Sequence, residues 1–182
     1  GMICVLALSF ASTPTWAADP EDTLNQYFEI LTSRDYERIG AIMDDENMQS
    51  LKRLMDAAMT ETPSGVRLQR RVFGKQVSPE QIKAASADFY LHVLAGEVLK
   101  AADMQKFFVE NRKTIGKLAE GDNIVHFVVR LYFRQGDHSV SDILVYTLIK
   151  YGDVWKMQFP QTIRQLLTLI EAEVQPAANP AS

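Results

Sequence analysis

The segment Ile124–Arg134 constrains the fold most, because it alternates without a break. Val125, Phe127, Val129, Leu131 and Phe133 form a wholly apolar face, and Ile124, His126, Val128, Arg130, Tyr132 and Arg134 a mixed one. Period-two patterning of this kind predicts a strand with one face buried. Gly136-Asp137-His138 turns the chain, and Ser139 to Lys150 returns with Ile143, Val145, Thr147 and Ile149 on one side and Val140, Asp142, Leu144, Tyr146 and Leu148 on the other. A three-residue loop sets Leu131 opposite Ile143, Val129 opposite Val145 and Phe127 opposite Thr147. A slip of one residue would put Leu131 against Asp142, so the apolar register is the expected one. Gly152-Asp153 makes a second turn, Val154 to Phe159 a third strand ended by Pro160, and Thr162 to Val174 a helix with Ile163, Leu166, Leu167 and Ile170 inward.

The preceding half reads as helical. Asp19-Pro20-Glu21-Asp22 is a capped start followed by Leu24, Tyr27, Phe28 and Leu31 at helical spacing. A short helix over Tyr36–Met43 comes next, then one from Asp44 carrying Met48, Leu51, Leu54, Met55, Ala58 and Met59. Thr60 to Gly65 is a loop, and Val66 to Val72 a short strand or extended link. Ser78-Pro79-Glu80-Gln81 has capping-box spacing and opens a helix reaching about Lys100. Asp103 caps a further helix showing Met104, Phe107, Phe108, Ile115 and Leu118. The expected class is α+β: N-terminal helices packed on a curved antiparallel sheet (a meander), with a C-terminal helix. Residues 19–174 make one domain and 175–182 a loose tail.

With 182 residues, 47% hydrophobic, 23% charged, a net charge of -4 and one cysteine, the composition excludes a disordered chain, a disulfide scaffold and a polytopic membrane protein. Residues 1–18 hold no charged side chain. The apolar run Met2–Phe10 and the small-x-small Thr15-Trp16-Ala17 read as a signal-peptide-like segment, which places the mature chain in the periplasm or outside the cell. Cys4 lies in that segment, so the mature chain would carry no thiol.

Chemical motifs are sparse. His92, His126 and His138 have no metal-ligand spacing, and Asp44-Asp45-Glu46 lacks the sixth-position glycine and twelfth-position glutamate of a calcium loop, so no metal is expected. No phosphate loop, dinucleotide fingerprint or nucleophile elbow occurs, and no cofactor is expected. Arg67, Arg70, Arg71 and Lys75 form the densest basic run, but the chain is acidic and lacks interleaved stacking aromatics, which argues against nucleic acid. Met43, Met48, Met55 and Met59 suit a core or an adaptable binding face. The candidate ligand site is the mixed sheet face: His126, Arg130, Tyr132, Asp142 and Tyr146. There Arg130 would hold a carboxylate and the tyrosines would orient a ligand, or the same face would join two copies.

Two stretches carry a family resemblance. Tyr27-Phe28-Glu29-Ile30-Leu31-Thr32-Ser33-Arg34-Asp35-Tyr36-Glu37-Arg38-Ile39 resembles the opening helix, polar break and second helix of the nuclear transport factor 2-like superfamily. Leu148-Ile149-Lys150-Tyr151-Gly152-Asp153-Val154-Trp155-Lys156-Met157 is similar to its last hairpin, where a tryptophan follows the turn. The resemblance implies the cone fold shared with ketosteroid isomerases, a curved sheet wrapping a helix with a pocket at the open end. It implies no single activity. The extra helices expected between Ser78 and Leu118 depart from that pattern. A helix after the last strand is similar to larger periplasmic lipid-shuttle proteins.

The functional expectation is an exported, non-catalytic binding module for an apolar small molecule, a lipid or a protein partner, with no transmembrane span. One alternative is an acid–base enzyme of the ketosteroid-isomerase type using Asp142 with Tyr132 or Tyr146. Another is a dimeric module paired through the sheet face.

Overall fold

The computed structural model describes residues 19–74, 78–101, 108–135 and 137–174. The signal-like segment, the tail, and Asp103, Met104, Phe107 and Gly136 lie outside the described residues. Helices precede a four-stranded antiparallel meander, and one helix follows it, an α+β architecture as expected.

Helix α1 (Pro20–Ser33) starts where the Asp19 carboxylate accepts the Glu21 amide at 2.9 Å, with Pro20 preset for the first turn. It ends at Arg34, a non-glycine residue held left-handed at φ 60°. A 3-10 turn (Tyr36–Arg38) leads into α2 (Ile39–Ile42), and Asp44 caps α3 (Asp45–Ala58). Met43, Met48, Met55 and Met59 are all buried, so the methionine series is core packing.

The next segment corrects the reading of 66–72. It is helix α4 (Pro63–Phe73), capped by Thr62, whose hydroxyl accepts the Gly65 amide at 3.1 Å. Gly65, Leu68 and Val72 are its buried stripe, a helical spacing that passes for weak alternation when the cap goes unread. A Cβ on Gly65 would collide with the backbone of Thr60, so this close approach needs glycine.

The capping box forms as expected, Gln81 amide to Ser78 hydroxyl at 3.2 Å and Ser78 amide to Gln81 side chain at 2.8 Å. The single helix to Lys100 is instead two, α5 (Pro79–Ala84) and α6 (Ala87–Ala101). Ala85 turns extended, and the Ser86 hydroxyl caps the restart by accepting the Phe89 amide at 3.1 Å.

The helix expected after Asp103 is strand β1 (Phe108–Glu120) where the chain is described. It pairs along β2 (Ile124–Gln135), with register shifts at Val109/Asn111 and Thr114/Gly116. Here the free ladder of β2 overrides local spacing that suited a helix. Strands β3 (His138–Tyr151) and β4 (Val154–Met157) complete the order β1-β2-β3-β4. The last strand stops short of the expected Phe159. Helix α7 spans Gln161–Val174.

The β2–β3 register also differs by one residue from the expected one. Gln135 pairs with His138 across two residues, so Leu131 faces Asp142, Val129 faces Leu144 and Phe127 faces Tyr146. The inner side of β3 is therefore Leu144, Tyr146 and Leu148, while Ile143 and Val145 stand exposed. Val125, Phe127, Val129 and Leu131 are buried as predicted, joined by Trp155 and Met157 beneath the helices.

Candidate functional site

The meander has an inner side covered by helices and an outer side with no helix on it among the described elements. His126, Arg130 and Tyr132 project outward, since their neighbours on β2 are the buried ones. Asp142 and Tyr146 alternate with them across the shifted register and belong to the inner side. The five residues expected to line one face are thus divided three and two.

The outer face begins at Glu120, whose carboxylate meets His126 Nε2 at 3.1 Å; Nδ1 of the same ring meets the Thr147 hydroxyl at 3.0 Å. Next come Leu118, Val128 and Val145, with Gly116 opposite Val128. Leu118 is 65% exposed, Val145 52% and Ile143 48%. At the far end Lys113 lies directly opposite Arg130, a like-charge pair that costs stability unless an anion answers it. Neither has an ion partner among the described residues, and Arg130 Nε is buried without a hydrogen bond. The face thus runs from an acidic end over an apolar middle to a cationic end.

The inner side is filled differently. Tyr146 is buried against Tyr27 and Phe28 of α1, with ring centroids 5.6 Å and 5.3 Å away. Arg112 closes the rim, its guanidinium 4.4 Å above the Phe28 ring and 2.7 Å from the Asn25 side-chain oxygen. Burial pushes the Tyr146 phenol up; nearby Arg112 pulls it back and Asp142 adds to the rise. Tyr27 is raised by burial first and by Tyr146 second. A recess of about 30 Å³ remains between these rings, Leu144 and the start of α7. Asp142 itself is exposed, with its carboxylate accepting the Ile143 amide at 2.8 Å. The acid–base reading needs Asp142 desolvated in a pocket, and that condition is not met.

Asp44 is the buried acid of the described residues, and it is structural. Its carboxylate caps α3 through the Asn47 amide at 3.0 Å and accepts the Tyr151 hydroxyl, while its own amide donates to Met157 at 2.8 Å. Burial pushes this carboxyl up, but hydrogen bonds from Tyr151 and Asn47 outweigh it and hold the group below the usual range. The same bond lifts Tyr151 to about 12.

His92 and His138 join no cluster: among the described residues no group of three His, Cys, Asp or Glu is placed to hold a metal ion. Arg67, Arg70 and Arg71 are exposed on α4, two of them in its last turn, where cations favour the helix end; Lys75 lies outside the described residues. Among the described residues no helix is long and apolar enough to cross a membrane. Sequence reasoning missed Lys113 and Leu118 because it placed them on a helix, and Glu120 because it placed it in the following turn. It missed Tyr27 by taking it for plain core, although a tyrosine beside Phe28 on an apolar stripe brings a polar tip that needs a partner.

No family model matches the chain, and no curated protein matches it. Among solved structures, the solution structure of a SEC-C motif containing protein from Rhodopseudomonas palustris is similar over 79% of this chain and 78% of that one, at 13% identity and a TM-score of 0.42. A likeness this distant carries no argument about fold or function.

Proposed function

We propose that the protein is an exported, non-catalytic binding module that works through the outer face of its sheet, and that the face pairs with a second copy of the same chain. What supports this is the charge order along one strand. Glu120 and Lys113 sit at opposite ends of the face, paired with Ile124 and Arg130 of β2, so the row midway between them is that of Lys117 and Phe127, between outward-facing Leu118 and Gly116. A two-fold axis lying across the strands at that row lays β1 over β1. It sets Glu120 of each copy on the Lys113–Arg130 pair of the other and packs the exposed Leu118 and Val145 at the centre. Such an interface is isologous and closed. Gly116 has no side chain to hold two sheets beyond their usual ~10 Å spacing.

The test is the oligomeric state of the mature chain by sedimentation equilibrium. A dimer that Val145→Asp converts to monomer, with unchanged circular dichroism, is the expected result. A wild-type chain that stays monomeric to high concentration overturns the reading.

The nuclear transport factor 2-like origin stays part of this proposal, supported by the two sequence stretches that resemble it.

A further inference from the structure

We propose that the recess between α1, β3 and the first turn of α7 binds the carboxylate head of a small amphipathic anion. The proposal is independent of pairing through the outer face.

Three observations converge on the recess. The first is a pair of phenols with no hydrogen bond to another described residue. Tyr27 is 6% exposed and Tyr146 4%, both line the recess, and no hydrogen bond joins either hydroxyl to another described residue. Largely buried tyrosines ordinarily find a partner for the hydroxyl, so two without a protein partner on one recess mark a place where a water or a ligand oxygen accepts. Both phenols are raised above their ordinary range, so they stay protonated and can donate at neutral pH.

The second is the helix that begins there. Gln161 and Thr162 line the recess and open the fourteen-residue α7. Pro160 precedes them, and its carbonyl accepts the Arg164 amide at 3.1 Å. Proline has no side-chain oxygen to cap the first amides, so the positive end of α7 is left without the usual acceptor.

The third is size and surroundings. A space of about 30 Å³ takes a carboxylate or a couple of waters, and no ring system. Leu144 and Pro160 at the rim offer contact to methylenes. Arg112 favours an anion from one side, while Asp142, which acts on Tyr146 from the other, opposes a second negative charge. A monovalent head with an apolar tail satisfies all of these; a phosphate dianion does not.

The test uses the mature chain and sodium octanoate, followed by calorimetry and by tyrosine ultraviolet difference spectra, with octylamine and octanol as controls. Octanoate should bind saturably and perturb tyrosine absorption. Octanol should bind more weakly, and octylamine should not bind. Tyr27→Phe and Tyr146→Phe keep the rings and remove only the hydroxyls, so each should weaken octanoate roughly tenfold or more, the usual worth of a hydrogen bond to a charged group. Circular dichroism of both variants controls for folding. No saturable octanoate binding, equal affinity in the double Phe variant, or equal binding of octylamine would each overturn the proposal. Val145 also borders the recess, so the separation rests on the Phe variants: they remove only hydroxyls, should leave the oligomeric state unchanged, and let the two readings fail separately.

Discussion

The two sides of one sheet have opposite fates in this molecule. On β2, Phe127, Val129 and Leu131 lie under helices, while Val128, Arg130 and Tyr132, one residue away in each case, remain partly open. The inner residues gain roughly 1.5–3 kcal/mol each from leaving water, so that side secures the fold. The outer side keeps exposed Leu118, Ile143 and Val145 and an unanswered cationic pair, which a finished surface would not retain. A strand can therefore divide its residues between stability and recognition, because its side chains alternate.

The sharpest way to break this contrast is to cut both sides equally. Phe127→Ala should cost about 3–5 kcal/mol in denaturant unfolding, against less than ~1 kcal/mol for Val128→Ala. Similar losses would mean that both faces are covered.

A smaller effect tests the junction where β4 meets the helices. Asp44→Ala removes a helix cap and the hydrogen bond from exposed Tyr151, so it should cost roughly 0.5–2 kcal/mol. The folded Asp44 carboxyl is depressed, so its contribution is present above the ordinary carboxylate range and drains away as pH falls through the folded value. Tyr151 behaves inversely: raised to about 12, it contributes below the ordinary phenol range and loses that contribution as pH climbs through the folded value. Stability measured against pH should lose the acid slope in the Asp44 variant.

On the outer side, Glu120→Lys should weaken self-association by about 1 kcal/mol and leave unfolding unchanged. Adding Lys113→Glu should restore pairing. Loss without restoration would mean that the charge order plays no part.

The smallest effect distinguishes the two tyrosine environments. Tyr146→Phe removes a hydroxyl with no hydrogen bond to another described residue and should change stability by less than ~1 kcal/mol. Tyr132→Phe, on the half-open outer side, should change it by less than ~0.5 kcal/mol. A marked loss at Tyr146 would show that its hydroxyl is already bonded.

Much of the fold was legible wherever a signal was local. Asp19-Pro20, Asp44 and Ser78-Pro79-x-Gln81 each start a helix because a side-chain oxygen meets an amide two or three residues on. The same signal at Thr62-Pro63 was available and predicts α4 correctly once read. β1 was not legible, because Arg112, Lys113 and Lys117 show no alternation at an edge where both faces touch water. Of the candidate site, His126, Arg130 and Tyr132 share a face as their spacing requires, whereas Asp142 and Tyr146 depend on a pairing partner.

The sequence alone determined that β2 would bury Val125, Phe127, Val129 and Leu131, since an unbroken period of two admits one arrangement. It could not choose the side of β3, which offers Ile143 and Val145 in one direction and Leu144, Tyr146 and Leu148 in the other. Tertiary structure decided that. With Gln135 paired to His138, Tyr146 falls between Tyr27 and Phe28 of α1, and packing against a helix more than a hundred residues earlier outweighs the mismatch of Leu131 with Asp142 at the sheet's open end.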